Sequence, residues 1–187
     1  MKRATRLQIL VFAAVWGAAG QLHATLIRAM ELGELVASAD AIVVGKVVSH
    51  QAAWDSQHRK IISTIEIDVE ESWKGTIVAE RRIAIVQPGG SVGDIEMTVL
   101  GMPIFTVGER ALLFLRGQRQ FQVAGMNLGK RALAWDDTGK RWLVEAPSTD
   151  GVVEVGPGAK LRQAQRRLPV PLNDLRAQVR RAIENPL

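Results

Sequence analysis

Cysteine and tyrosine are both absent from this chain of 187 residues. Without cysteine the protein has no disulfide framework, no thiolate metal site, no cysteine nucleophile and no cysteine for bacterial lipid attachment. Hydrophobic residues make up 47% of the sequence and charged residues 23%. These values are typical of one globular domain, so disorder along the whole chain is excluded and stability must come from packing.

Positive charge is concentrated at the two ends of the sequence. The formal net charge is +5 and the sequence pI is about 10.1. Residues 1–24 contain three bases and no acid, and residues 160–187 contain seven bases and two acids, which leaves 14 bases and 17 acids between them. A nucleic-acid-binding domain usually spreads Lys and Arg over its binding face, so nucleic acid is not an expected partner.

The N-terminus has the order of features that is typical of an export signal. Three basic residues precede an apolar run at residues 7–19, which is shorter than the ~20 residues needed to cross a bilayer. Small residues allow cleavage after Gly20 or after Ala24. We expect residues 1–24 to be a signal peptide and the protein to be periplasmic or secreted, with no transmembrane segment after cleavage. A buried first helix of the domain is the alternative interpretation.

The central part of the sequence predicts a mainly β fold. Residues 41–50 are rich in β-branched side chains, with Gly45 at a predicted bulge. Residues 60–72 alternate between apolar and acidic positions, the pattern of a strand with one solvated face. Further strands are expected at 81–87, 95–100, 110–115, 120–124, 131–135 and 142–145. No long amphipathic pattern interrupts them, so the spacing predicts an antiparallel barrel or sandwich.

The last 28 residues predict a basic tail that ends in a helix. Asn173 is the expected N-cap, and apolar residues recur on one side of the helix at three- and four-residue spacing. Arg176, Arg180 and Arg181 lie toward another side. The arginines are expected either to point into water from a helix packed on the body of the protein, or to contact an anionic polymer. Arg176 and Arg180 are therefore candidate binding residues.

A polar loop predicted at residues 51–59 contains three further candidates, Trp54, Asp55 and His58. Trp54 is the indole most expected to be exposed, because its loop is polar, and exposed indoles can stack on sugars. Asp55, His58 and the nearby His50 could bring imidazole and carboxylate groups together. Zn²⁺ normally needs three or four ligands in a recognised spacing, so solvated loop residues are expected here and no metal or cofactor is predicted.

Two patterns suggest a hydrolase. Residues 89–93 match the G-x-S-x-G sequence around a nucleophilic serine, here Ser91. That motif requires a following helix and a later histidine, whereas a strand is predicted next and no histidine follows His58. Asp94 and Glu96 are two residues apart and would share one strand face, as paired carboxylates could. A glycine-rich β-loop and a solvated strand face are the alternatives, and these are favoured.

The order of features resembles the netrin-like module, an OB-type barrel that is also used by the inhibitory domain of tissue inhibitors of metalloproteinases. The resemblance covers about residues 39–145, and it is carried by the residues Asp40, Lys74-Gly75 and Gly108-Glu109 together with their neighbouring strands. The same residues are similar to those of a group of small exported bacterial proteins of unknown function. In the metalloproteinase inhibitors the resemblance implies an N-terminal cysteine that chelates zinc; this chain has none, so that mechanism does not transfer.

Taken together, these patterns predict three parts: a signal peptide at 1–24, an OB-like antiparallel β-barrel at 25–159, and a basic tail with a C-terminal helix at 160–187. Because no catalytic pattern is complete, the expected function is non-enzymatic binding of a protein or polysaccharide in the envelope or outside the cell. A small exported hydrolase, using Ser91 or paired carboxylates, is the alternative hypothesis.

Overall fold

The computed structural model describes residues 30–146 and 168–186 with their side chains, and the backbone of 25–28, 152–155 and 161–163. The expected signal peptide lies outside the described residues. Two α-helices are described, α1 at Leu32–Ser38 and α2 at Leu172–Glu184, together with a 3-10 helix at Met126–Gly129. The described strands are β1 Thr25–Arg28, β2 Ala41–Trp54, β3 Ile61–Lys74, β4 Arg82–Pro88, β5 Gly90–Val92, β6 Ile95–Met97, β7 Arg110–Arg116, β8 Gln122–Val123, β9 Lys130–Asp136, β10 Arg141–Val144, β11 Val152–Val155, β12 Leu161–Gln163 and β13 Val170–Pro171.

Most strands belong to one antiparallel sheet with the order β13-β10-β9-β7-β2-β3-β4, in which β8 also pairs with β7. β5 and β6 form a hairpin, and β1, β11 and β12 form a separate sheet in which β1 runs parallel to β11. The predicted mainly β fold, with an antiparallel sheet and a C-terminal helix, is therefore confirmed. In the part of the chain that the structure describes, no helix is long and apolar enough to cross a membrane.

The core has two hydrophobic clusters on opposite faces of β2 and β7. The inner cluster is built on the face that includes Val43, Ile67 and Leu113. The helix-side cluster lies on the other face, where Ile42 and Phe114 pack with residues of α1 and α2. The continuous apolar runs of β2 and β7 are thus explained, because strands covered on both faces have no solvated positions.

The alternation predicted for residues 60–72 is confirmed in β3. Ile65 and Ile67 are buried, whereas Glu66 and Asp68 lie on the polar face. Arg82 on β4 donates to both oxygens of Asp68, at 2.7 and 3.1 Å. This hydrogen-bonded guanidinium holds the pKa of Asp68 below its usual value.

The bulge predicted at Gly45 is also confirmed, because the register between β2 and β3 shifts between Val44 and Gly45. A Cβ atom on Gly45 would lie 2.5 Å from Ile67 Cγ2 and 2.7 Å from the carbonyl oxygen of Asp68. Glycine therefore allows the close approach of β3 that a side chain would prevent.

Lys74, the last residue of β3, holds the C-terminal end of α1 in place. Its Nζ donates to the carbonyl oxygens of Val36 and Ala39, at 2.8 and 2.7 Å. A lysine ammonium group stabilises the unpaired carbonyls at the end of a helix. Asp40 has a similar structural role, because its Oδ2 accepts a hydrogen bond from the backbone of Gly117 at 2.8 Å.

Three local predictions are wrong. β2 continues to Trp54, so the loop predicted at 51–59 is shorter. β6 ends at Met97 rather than at residue 100. The N-cap of α2 is Pro171, not Asn173, because Pro171 pairs with Leu143 as the end of β13 and the helix begins directly after it.

Candidate functional site

Trp54, Asp55 and His58 come together in the turn that joins β2 to β3. The Asp55 N–H donates to the carbonyl of Lys60 at 2.8 Å, and its Oδ1 accepts hydrogen bonds from the backbone of Arg59 at 2.7 Å and of Lys60 at 3.3 Å. The bond from the Arg59 backbone is the main reason why the pKa of Asp55 is lowered. The carboxylate therefore holds the turn closed.

His58 closes the same turn from the other side. Its backbone has φ of +50° and its N–H donates to the carbonyl of Asp55 at 2.9 Å. The imidazole stacks on the Trp54 indole, with 6.2 Å between ring centroids and 25° between the ring planes. Across residues 30–146 and 168–186, no group of three or more His, Asp or Glu side chains is placed to hold a metal ion.

Arg176 and Arg180 lie elsewhere, beside a groove of about 400 Å³ between β3 and α2. Arg176 forms an ion pair with Glu71, and its guanidinium carbon lies 5.3 Å from the centroid of the Trp73 ring. The Trp73 indole in turn donates to Glu71 at 2.8 Å. Arg176 therefore fastens α2 to β3, while Arg180 is exposed at the groove. No described contact joins these arginines to the Trp54 turn, so the five candidates form two separate groups.

His50 contacts a serine, but the contact does not activate that serine. The His50 Nε2 atom lies 3.0 Å from Ser63 Oγ, and Ser63 Oγ donates to the carbonyl of Gly89 at 2.7 Å. Because a carbonyl can only accept, the single hydroxyl proton is committed to Gly89, and His50 must donate to Ser63. A general base for a serine nucleophile needs the opposite direction of donation. Ser91 is exposed on β5, and no described hydrogen bond links it to His50.

A second concave feature, which the sequence did not predict, is a cleft of about 910 Å³. One wall consists of His50, Ala52 and Ser63 on the β2–β3 hairpin. The opposite wall is the segment 98–107, here called the apolar loop, most of which lines the cleft. Clefts with an apolar lining and a few polar groups are the usual sites of ligand binding.

Three hydrogen bonds from residues distant in the sequence hold the apolar loop to the body of the protein. The backbone N–H of Asn127 donates to the carbonyl of Gly101 at 2.9 Å, and Gln87 Nε2 donates to Pro103 at 2.9 Å. Lys130 Nζ donates to the carbonyl of Ile104 at 2.6 Å.

Lys130 is itself held by two further contacts. Its ammonium group lies 2.8 Å from Glu109 Oε1 and 5.1 Å from the ring centroid of Phe105. The Lys130 and Glu109 side chains are 12% and 21% exposed, so this ion pair is shielded from most of the solvent. Phe105 is buried in the inner cluster. The loop is therefore fixed to the core on both sides of Ile104.

The side chains that this loop presents to solvent are large and apolar. Leu100, Ile104 and Val107 are 55%, 82% and 58% exposed. The sequence carries one signal for this surface, because Leu100 and Ile104 flank the Gly101-Met102-Pro103 turn, where polar residues are usual.

Among the tryptophans after residue 24, Trp135 rather than Trp54 is the most exposed, at 48%.

No family model and no curated protein matches this chain.

Proposed function

We propose that the protein is an exported, non-enzymatic binding module that recognises an apolar segment of a partner protein in the cleft beside the apolar loop. The observation that carries this proposal is Ile104, an aliphatic side chain that is 82% exposed although its backbone is fastened by Lys130. An exposed apolar side chain on a fixed loop loses water on binding without losing much conformational freedom. Both effects favour association.

The grouping of the exposed aliphatic side chains supports the same function. Clusters of exposed aliphatic side chains are unusual on soluble monomers and commonly mark protein-binding surfaces. Leu100 and Ile104 are close in sequence and line the same cleft, so one partner segment can cover both. The best-packed apolar contacts in such interfaces contribute most of the affinity.

We propose that the fold that supports this cleft is an OB-like barrel. β4 meets Phe121 through two hydrogen bonds, from the Val86 N–H to the Phe121 carbonyl at 2.8 Å and from the Phe121 N–H to the Ala84 carbonyl at 3.0 Å. Phe121 leads directly into β8, which pairs with β7, and β7 pairs with β2. These contacts support a ring of β2, β3, β4, β8 and β7, as expected of a partly open five-stranded barrel.

Export rests on the sequence of residues 1–24, with its basic start, short apolar run and small residues at the exit. In that setting the partner would be an envelope or extracellular component.

A polysaccharide is the second candidate ligand, and Trp135 favours it. Its half-exposed indole makes an edge contact with Trp142, with 5.2 Å between ring centroids. The guanidinium carbon of Arg110 lies 5.1 Å from the centroid of the Trp142 ring. The Arg110 Nε atom donates to Glu70 at 2.8 Å. An exposed indole beside hydrogen-bonding groups can stack on a sugar ring.

The test uses peptides selected from a random displayed library on the intact protein. We expect Ile104→Glu to weaken their binding at least about tenfold, because a carboxylate would be buried against the apolar residues of the peptide. Val78→Glu is the matched control, since Val78 is a 63% exposed aliphatic residue away from the cleft, and it should leave binding unchanged. Peptides that bind equally well to both variants would contradict the proposal. Binding of glycans that is lost in Trp135→Ala, together with no Ile104-dependent peptide, would favour the second candidate.

A further inference from the structure

One edge of β2 has no partner strand over half of its length. β3 pairs with β2 from Ile42 to Trp54, but on the other side β7 pairs only from Ala41 to Lys46. Val47 is the last residue bonded on that side, through Glu109 and Gly108, at 2.9 and 2.8 Å. Within the described residues, no strand pairs with this side of residues 48–54, here called the free edge.

The backbone groups that point out from the free edge can be identified from the pairing of β3. The Gly89 N–H donates to the carbonyl of Ile61 at 2.9 Å, so Ile61 directs its backbone groups toward β4 and not toward β2. Its partner Trp54 therefore forms a non-hydrogen-bonded pair with it. Because the two kinds of pair alternate along an antiparallel ladder, Ala52 and His50 also direct their N–H and C=O groups out from the free edge.

The free edge lacks the features that normally prevent strand addition. Exposed edges are usually protected by lysine, by inward-pointing charges or by proline. Residues 48–54 contain no proline, no lysine and no acidic residue. A register shift marks only its beginning, between Val47 and Ser49, after which the pairing with β3 is regular as far as Trp54.

The free edge also borders the cleft. His50 and Ala52, whose backbone groups point outward, have side chains that line the cleft. Side chains on a strand alternate between the two faces of a sheet. Every second side chain of a strand added beside residues 48–54 would therefore face the same side as His50 and Ala52, toward Leu100 and Ile104.

We propose that the free edge of β2 takes up an extended segment of a partner protein as an additional strand, whose alternate apolar residues enter the cleft. The inference rests on the proposed function and specifies how the partner binds. Main-chain hydrogen bonds to His50 and Ala52 give affinity in this mode, and the contacts of alternate side chains give specificity. A polysaccharide has no regular row of backbone N–H and C=O groups with which to extend the ladder.

Charge indicates that the segment comes from another protein and carries a basic residue. The cleft is lined by three acids, Glu96, Glu109 and Glu145, and by one base, Lys130, which is paired with Glu109. Glu96 and Glu145 are exposed and form no ion pair among the described residues. A second copy that paired through its own free edge would bring an identical acidic surface next to this one, whereas a Lys or Arg on the segment would be attracted to it.

Residue-resolved amide hydrogen exchange on the intact protein tests this binding mode, with the peptides selected on the protein as the probe. In the free protein the amides of Gln51 and Ala53 should be protected by β3, while those of His50 and Ala52 should exchange faster. Bound peptide should slow exchange at His50 and Ala52 at least about tenfold and leave Gln51 and Ala53 unchanged. N-methylation of every second peptide residue gives two variants. Binding should be abolished when the methyl groups replace the N–H groups that bond to His50 and Ala52, and it should remain when they replace the N–H groups that point away.

The possible outcomes separate this inference from the proposed function. Peptide binding that depends on Ile104 but leaves exchange at His50 and Ala52 unchanged would overturn strand addition and leave the binding function intact. Absence of any peptide whose binding depends on Ile104 would overturn both. Protection of His50 and Ala52 that rises with protein concentration, without peptide, would assign the free edge to a second copy of the chain and overturn the proposed occupant.

Discussion

At the residue scale, the direction of a single hydrogen bond distinguishes a structural serine from a catalytic one. Ser63 is 1% exposed and stands next to an imidazole, which are features that a nucleophile can share. Its proton, however, goes to the carbonyl of Gly89. Ser63 thus ties the end of β4 to the β2–β3 hairpin, and a buried hydroxyl with both roles satisfied contributes to stability and not to acyl transfer.

Gly90 offers a sharp test of this packing. Its φ is +127°, and a Cβ atom there would lie 2.6 Å from Ser63 Oγ and 2.8 Å from Ala52 Cβ. We expect Gly90→Ala to lower the free energy of unfolding by about 2 kcal/mol or more, through backbone strain and overpacking. Urea denaturation measures the loss.

The control for this substitution is Gly93→Ala, in the turn between β5 and β6. Gly93 also has a positive φ, of +59°, but a Cβ atom would meet nothing within 4 Å. Only the backbone cost of about 1 kcal/mol is expected there. Equal losses for the two variants would show that packing against Ser63 and Ala52 has no effect.

At the element scale, α2 is part of the core although it belongs to the basic tail at residues 160–187. Leu172, Leu175 and Val179 are buried in the helix-side cluster. Arg176 and Glu71 connect the exposed side of the same contact. The arginines of a basic segment can therefore support a fold, and a surplus of positive charge does not by itself indicate a polyanion partner.

Leu175→Ala tests the contribution of α2. We expect it to reduce the free energy of unfolding by about 2 to 4 kcal/mol, because it removes buried methyl groups and leaves a cavity. Gln178→Ala, on the exposed side of the same helix, should change stability by less than about 0.5 kcal/mol. Chemical denaturation of both variants gives the comparison, and equal stabilities would mean that the helix adds nothing to the core.

At the scale of the whole molecule, the two hydrophobic clusters are joined back to back. Their shared elements are β2 and β7, whose side chains alternate between the inner and the helix-side cluster. Because both clusters are built on the same two strands, loss of packing in one cluster removes support from the strands that carry the other. Cooperative unfolding is the physical consequence of such sharing.

We therefore expect a single unfolding transition. Ile67→Ala in the inner cluster and Leu175→Ala in the helix-side cluster should shift the same transition to lower denaturant concentration, followed by near- and far-ultraviolet circular dichroism. Agreement between the two signals is the criterion of a two-state process. A variant that shifts one signal and not the other would show that the clusters unfold independently.

The sequence by itself determined the β character of the chain, the bulge at Gly45 and the polar face of β3. Each of these depends on local periodicity or, at Gly45, on the absence of a side chain. It also grouped Trp54, Asp55 and His58 in one short segment, because five residues cannot separate far in space, but it assigned Trp54 to the loop and not to the end of β2.

Only the tertiary structure decided where the cleft lies and how the apolar loop is presented. The contacts that hold this loop come from Gln87, Asn127 and Lys130, which are distant from it in sequence or separated from it by β7 and β8. The free edge of β2 is likewise a property of pairing, since nothing in residues 48–54 indicates where β7 stops. Local patterns report which residues can form a strand, whereas the partners that a strand lacks are fixed only when the whole sheet has assembled.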